Sequence, residues 1–544
     1  MKSLRKNQQL NQVELWKLER HPLDVRDAVI QRYAREGPEA IAAVPGEVER
    51  LKWVGLYPQR QGGDAFMLRV KVPGGRLSAA QVEAVGQVAG EYARGPEPSP
   101  VFGDAWADIT TRQDFQLHWI PIGAVPEIWR RFEAVGLTTV QACGDSARNV
   151  LCCPVSGLDA DEVLDAYPVA AAVSDWFTGN REYANLPRKF KTSVTGCRED
   201  CAQAEINDIG LWPARQADGT VGFNTIVGGG LSDGPRMASD IDVFVLPEQA
   251  VELFRAIAQV FGELGNRTNR GLARMRYLVQ ELGPEGFRHE VAARAAFPLV
   301  PAGEGLTRRY RGDHVGVHAQ RQPGLVYVGL NVTVGRISGA NLVEAGRLAG
   351  VYGDGQLRLA TDQNLILTGV PEARLDELLA EPLLAEHSPD PAPFERGAVA
   401  CTGSEFCRFA IVETKARAVQ WARHLDRTLA TDAADGIIRM HFSGCSASCA
   451  QPQIADIGFR GEIAHTDDAI VEAVDIGLGG SLGADAAFID FVEGAKPVDE
   501  VPDALVGLLE QYRAERRDGE RFHQWCRRLP NGELRVALRQ GEGR

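Results

Sequence analysis

The feature that most constrains this chain is a frame that occurs twice. Gly196-Cys197-x3-Cys201-Ala-Gln-x2-Ile206-x-Asp208-Ile209-Gly210 returns as Gly444-Cys445-x3-Cys449-Ala-Gln-x2-Ile454-x-Asp456-Ile457-Gly458. Further matches run in the same order. Trp53-Val-Gly55-Leu-Tyr57-Pro-Gln59-Arg60-Gln61 pairs with His314-Val-Gly316-Val-His318-Ala-Gln320-Arg321-Gln322. Gly75-Arg76-Leu77-Ser78 pairs with Gly335-Arg336-Ile337-Ser338, and Thr111-Arg112-Gln113 with Thr361-Asp362-Gln363. The separation is about 250 residues, far longer than the period of a solenoid repeat. The chain is therefore expected to fold as two pseudo-symmetric halves of one duplicated architecture.

Within each half the pattern is α+β. Residues 65–72 and 325–332 are rich in β-formers and predict strands. Residues 78–89 have helical spacing with Ser78 as N-cap, and 412–424 predict a second helix just after Cys407. Gly95 to Pro100 is proline-rich, has no counterpart in the second half, and predicts a solvated loop. Pro389 to Pro393 predicts a linker.

Composition narrows the function classes. With 544 residues, 44% apolar and 24% charged, the chain has the make-up of a multidomain globular protein. A net charge of -14 argues against general nucleic-acid binding, which needs a phosphate-neutralising surface. No apolar run is long enough for a membrane span, and the charged N-terminus lacks the apolar core of a secretory signal. A cytoplasmic setting is expected, where ten cysteines suit metal ligands and buried thiols better than disulfides.

Cys401 and Cys407 in CTGSEFC, with Cys445 and Cys449 in SGCSASC, have metal-thiolate spacing. Structural zinc and four buried thiols are alternatives, but the five-residue gap is wide for a zinc knuckle, and a [4Fe–4S] cluster fits better. Arg112, Arg148, Lys189 and Lys191 are cations set in apolar or β-like stretches upstream. Singly, each reads as a surface charge or half of an ion pair; together they suggest an anion pocket, since arginine offers a planar fork and lysine a mobile charge. Gly229, within Gly228-Gly229-Gly230, and Gly479-Gly480 follow apolar strands, where backbone has room to approach a flat cofactor; an ordinary tight turn is the alternative. The chain lacks a G-x-G-x-x-G fingerprint, so a nicotinamide or flavin domain is not expected.

The motifs ACTGSEFC, TKARA, HFSGCSASC, ADIGF, LPRKFK, TRQDFQ and RNVLCCP together resemble those of the sirohaem-containing nitrite and sulfite reductases, over nearly the whole length. The resemblance implies an internally duplicated pseudo-twofold α+β fold. Its expected divisions are an N-terminal extension (1–49), paired ferredoxin-like half domains (50–135 and 308–385), a sirohaem and substrate domain (136–307), a [4Fe–4S] and sirohaem domain (386–505) and a helical tail (506–544). It implies that Cys401, Cys407, Cys445 and Cys449 ligate the cluster and that Cys449 also bridges to sirohaem iron. It implies Arg112, Arg148, Lys189 and Lys191 on the substrate side, with Arg274, Asn149 and Gly229 contacting sirohaem. The implied activity is six-electron reduction of an oxyanion, with electrons from ferredoxin because the chain shows no flavin or nicotinamide motif of its own.

Nitrite is the expected substrate and sulfite the alternative. The stretches around CTGSEFC and YGDGQLRLATDQNL resemble the ferredoxin-nitrite branch, whereas a lysine at 191 resembles the sulfite branch. Cys197 and Cys201 are expected to be relics near the haem, because the first half shows no partner for CTGSEFC. Tyr57 and Cys143 are expected to approach the distal pocket, which raises the question of a thioether between them. The Arg-rich stretch 513–528 carries interspersed acids and predicts a solvated helix. A monomer is expected, since the internal pseudo-dimer removes one reason to dimerise. A non-catalytic iron–sulfur or zinc protein is the reading from a different class.

Overall fold

The computed structural model describes residues 9–307, 312–430, 432, 435–466 and 469–540. The start of the N-terminal extension, the expected boundary at 308 and the last four residues of the tail lie outside the described residues.

The duplication is visible as two pairs of sheets. In the smaller pair the halves exchange strands. The first sheet runs Leu56–Pro58, Phe66–Val70, Phe115–Ile120, Gly103–Ile109, and is extended by Arg336–Ser338 from the second half. The second runs Gly316–Ala319, Leu325–Leu330, Leu365–Pro371, Gln356–Leu359, and is extended by Arg76–Ser78 from the first. The two matched Gly-Arg-x-Ser segments are thus the exchanged strands. Each leads into a helix, Ala79–Tyr92 or Gly339–Tyr352. Ser78 Oγ accepts from Gln81 N while Gln81 Oε1 accepts from Ser78 N, a closed capping box. The helices meet where a Cβ on Gly86 would lie 2.6 Å from Gly339 O, so the crossing requires glycine. One apolar core, including Leu68, Val85, Leu117, Val328, Leu348 and Leu367, serves both sheets.

The larger pair repeats one mixed topology. Ala147–Cys152, Phe190–Val194 and Ile209–Arg215 are parallel, followed by antiparallel Val221–Val227 and Ser239–Val245. Ala398–Ala400, Met440–Ser443 and Ile457–His465 are parallel, followed by antiparallel Ile470–Leu478 and Asp490–Pro497. Each has its own core. Cysteines emerge at equivalent C-terminal strand ends in both, the usual location of sites in sheets with parallel strands.

Three local expectations change. The proline-rich segment is an edge strand, Arg94–Ser99, paired with Gly103–Ile109; at an edge the missing proline N–H groups cost no ladder bond. The helix expected from Val412 starts at Lys415. The preceding residues are tied to the cysteine loop, Ser404 N donating to Val412 O and Thr414 Oγ1 to Cys401 O. The tail is not a solvated helix: Tyr512, Phe522 and Trp525 are buried in the core of the second large domain. Its arginines are engaged, Arg513 and Arg516 with Asp435 and Arg528 with Glu520. At the other end, buried Lys17 pairs with Glu14 and donates to Leu186 O, docking the first helix on the first large domain.

Candidate functional site

Cys401 directly follows strand Ala398–Ala400, and Cys445 and Cys449 lie on the turn after Met440–Ser443. Gly444 N donates to Cys401 Sγ at 3.3 Å. Burial pushes the Cys401 thiol up to about 12, with neighbouring Cys449 adding to the rise and N–H groups of Gly444 and Gly403 opposing it. Burial likewise raises Cys407 and Cys445, and Cys449 raises both further. The four therefore surround one locus, with Cys449 the most exposed. Among the described residues, the only three thiols with sulfurs all within 4.8 Å of one another lie elsewhere, at Cys153, Cys197 and Cys201. The wider spread of the four suits a cubane, in which each thiolate holds a different iron.

The matched Gln-Arg-Gln segments explain how the loop is held. Arg60 N donates to Phe406 O, Arg60 Nη1 to Ala410 O, and Arg408 Nε to Gln59 O. On the first large domain's loop, Arg321 N donates to Leu158 O and Gln322 Nε2 to Gly157 O. Each clamp comes from one small sheet and grips the cysteine-bearing loop of a large one. The symmetry extends to the turns: Thr111 Oγ1 donates to Cys449 O at 3.1 Å, and Thr361 Oγ1 to Cys201 O at 3.0 Å. Gln451 Nε2 donates to Gln203 Oε1 at 2.6 Å, joining the two turns at the pseudo-axis.

Lys189 and Arg69 both feel the charge of Cys449, and Lys189 belongs to a surplus of cations. Burial pulls Lys189 down to about 7, aided by Arg274 and Arg148 and opposed by Cys449. Lys191 is driven well below the usual lysine range by burial, then by Arg112, Lys189 and Arg274. Burial pulls Arg112 down to about 9, with Arg148 and Arg69 adding to the effect. A guanidinium keeps its proton, so this is felt as unneutralised charge. Arg112 Nη1 donates to Asn207 Oδ1 at 3.0 Å, Arg274 Nη2 to Asp208 at 3.0 Å, and Arg148 Nε to Gly144 O at 3.0 Å. The buried Nε atoms of Arg69, Arg112 and Arg274 have no partner. Buried cations with orphaned donors call for anions, either a substrate oxyanion or the carboxylates of a macrocycle. These observations fit both groups that the sequence implied.

Two expected cofactor contacts have different geometry. Asn149 is fully buried, and its amide donates to Val72 O at 2.7 Å, Arg112 O at 2.8 Å and Gln113 O at 3.2 Å. Its backbone carbonyl accepts from Arg112 Nη2, while its buried side-chain Oδ1 has no hydrogen-bond partner among the described residues. It is a brace for Arg112. A Cβ on Gly229 would meet Glu205 O at 2.5 Å and Asn207 O at 2.7 Å, and one on Gly480 would meet Ala455 O at 2.6 Å. These glycines let protein backbone pass protein backbone. The sequence reading also missed Arg69, Asn207 and Asp208, polar residues whose role depends on neighbours distant in the chain.

Cys197 and Cys201 are not isolated relics. Cys153, ending RNVLCC, stands at the same offset from Cys197 as Cys401 from Cys445, and the three thiols form one buried group. That offset was the available signal. Tyr57 and Cys143 are electrostatically linked: burial and then Cys143 raise the Tyr57 phenol above its usual range.

The "Nitrite and sulphite reductase 4Fe-4S domain" model matches residues 143–299 and 392–541. The "Nitrite/Sulfite reductase ferredoxin-like half domain" model matches 57–97, 99–135 and 318–385. The assimilatory ferredoxin-dependent nitrite reductase of Haloferax mediterranei is 43% identical, over 94% of this chain and 90% of its own length. The ferredoxin–nitrite reductase of Synechococcus elongatus is 42% identical, over 94% and 98%. Among solved structures, the Mycobacterium tuberculosis NirA protein is similar with a TM-score of 0.90 and 34% identity, over 97% of this chain and 98% of that one.

Proposed function

Because the chain belongs to the nitrite and sulphite reductase family, we propose that it reduces nitrite to ammonium with six electrons drawn from ferredoxin. The observation that carries this reading is a group of mutually repelling cations, of which Lys189 also feels Cys449, the most exposed of the four cysteines. Cys401, Cys407, Cys445 and Cys449 would hold a [4Fe–4S] cluster, with Cys449, the most exposed of the four, as the thiolate next to sirohaem. Arg274, braced by Asp208 and with its Nε unsatisfied, would receive a sirohaem carboxylate. Bound there, the cluster would supply electrons one at a time and the sirohaem iron would supply the coordination site for the oxyanion.

The chain's own side chains do the rest. Arg112 and Arg148 fix the anion's oxygens with oriented donors, so charge that develops as N–O bonds weaken is met without reorganisation. Lys189, at about 7, holds a proton that it can give up at neutral pH, and departure of each oxygen as water consumes such protons. Lys191 places a second ammonium nearby. The residues whose N–H groups fix the cluster loop, Gly403 and Gly444, keep the thiolates oriented as charge enters.

A second lysine at 191 favours a more highly charged oxyanion, so sulfite is the competing substrate. The test is steady-state reduction of both anions by the holoenzyme with reduced ferredoxin. A larger kcat/KM for nitrite supports the proposal; a larger value for sulfite overturns it. The absorption spectrum must also carry sirohaem Soret and red bands, which a non-catalytic iron–sulfur or zinc protein cannot produce.

A further inference from the structure

The first half keeps the architecture of the cluster site but arranges its thiols differently. Cys153 follows the strand Ala147–Cys152, and Cys197 and Cys201 follow Phe190–Val194. All three sulfurs lie within 4.8 Å of one another and all three residues are buried. Four thiolates around a single zinc at about 2.3 Å would be about 3.8 Å apart, so the group is close to the span of one ion. A cubane would spread its thiolates over separate irons, and the position equivalent to Cys407 is Asp159.

A fourth donor, from the other half, borders this group at Cys201 and lies outside the set of atoms within 4.8 Å of one another. His314 Nε2 lies 3.1 Å from Cys201 Sγ, and its Nδ1 is 3.3 Å from Tyr327 Oη. That second contact orients the ring with Nε2 toward Cys201, as the outer partner of a ligating histidine does. His314 has a left-handed backbone, φ 60°. Its carbonyl fits only because residue 329 is glycine, where a Cβ would stand 1.8 Å from it. Cys197 Sγ receives N–H groups of Glu199 and Cys201, as a knuckle thiolate does. The equivalent turn in the second half directs the N–H of Ala447 to Cys445.

We propose that Cys153, Cys197, Cys201 and His314 bind one zinc ion, a Cys3His site pseudo-symmetric to the iron–sulfur cluster. Binding exchanges the thiol protons for Zn2+ and releases them to solvent, with no change of oxidation state. The ion would join three segments: the end of a strand bearing Arg148, the turn after the strand that begins beside Lys189 and Lys191, and the lead-in to the opposite small sheet.

The experiment is elemental analysis and zinc K-edge absorption of the full-length holoenzyme, purified without air and washed with EDTA. The expected result is one zinc per chain with a shell of three sulfurs at about 2.3 Å and one nitrogen at about 2.0–2.1 Å. Cys197→Ser combined with Cys201→Ser should lose that zinc and keep the iron. Zinc well below stoichiometry in the wild type, a shell of oxygen and nitrogen only, or a disulfide among these cysteines by intact mass would each overturn the proposal. So would full zinc retention in the double variant. If that variant does not fold, the wild-type edge spectrum decides alone.

Discussion

Individual residues in the site do two kinds of work, and their hydrogen bonds tell them apart. Asn149 spends its amide on three carbonyls, whereas Lys189 is held by burial against other cations. The cations can bind an anion only while charged. Lys189 carries its charge below about 7 and loses it above, so anion capture should be strongest on the acid side. The KM for nitrite should rise above pH 7 by up to about tenfold per pH unit. Lys189→Gln should raise KM and flatten that profile; a wild-type profile unchanged between pH 6 and 9 would refute the assignment. Asn149→Ala should destabilise the fold by about 1–3 kcal/mol, because buried carbonyls lose their donor, and should raise KM through Arg112. Chemical denaturation followed by anion kinetics checks both effects.

At the scale of elements, the crossing of Ala79–Tyr92 and Gly339–Tyr352 holds the two halves together. Two glycines on one helix give a controlled comparison. A Cβ on Gly86 meets Gly339 O at 2.6 Å, while one on Gly90 meets nothing within 4 Å. Gly86→Ala should cost about 1–3 kcal/mol by overpacking. Gly90→Ala should be neutral or stabilise by up to about 1 kcal/mol, through helix propensity alone. Thermal unfolding of the two variants distinguishes them, and equal shifts would show that the crossing tolerates a methyl group. Some of this level was readable in advance: Ser78 marked its helix, and Phe66–Val70 and Leu325–Leu330 fall inside the expected strands. Arg94–Ser99 was not, because proline suppresses the strand signal and only an edge with a willing neighbour restores it.

On the scale of the whole molecule, neither half is a self-contained unit. Each small sheet borrows a strand from the other half, and each Gln-Arg-Gln clamp seats a cysteine loop of a large domain. The tail is equally integral, with Trp525 fully buried. Trp525→Ala should cost about 3–5 kcal/mol, and deletion from residue 506 should leave no soluble, iron-loaded protein. Iron content and solubility after expression test this; a soluble truncated chain with its full iron would contradict it. Sequence alone determined the duplication, the four-cysteine group and the set of cations, because repeated motifs and residue chemistry are written linearly. Tertiary structure decided that the repeated frames face each other across a pseudo-axis through Gln203 and Gln451, and that the Asn149 side-chain N–H groups and the Gly229 Cα meet the protein's own backbone. It also decided that Cys197 and Cys201 have companions. Cys153 and His314 lie far from them in the chain; strand pairing within one half brings the Cys153 sulfur to theirs, and strand exchange between halves brings His314 beside Cys201.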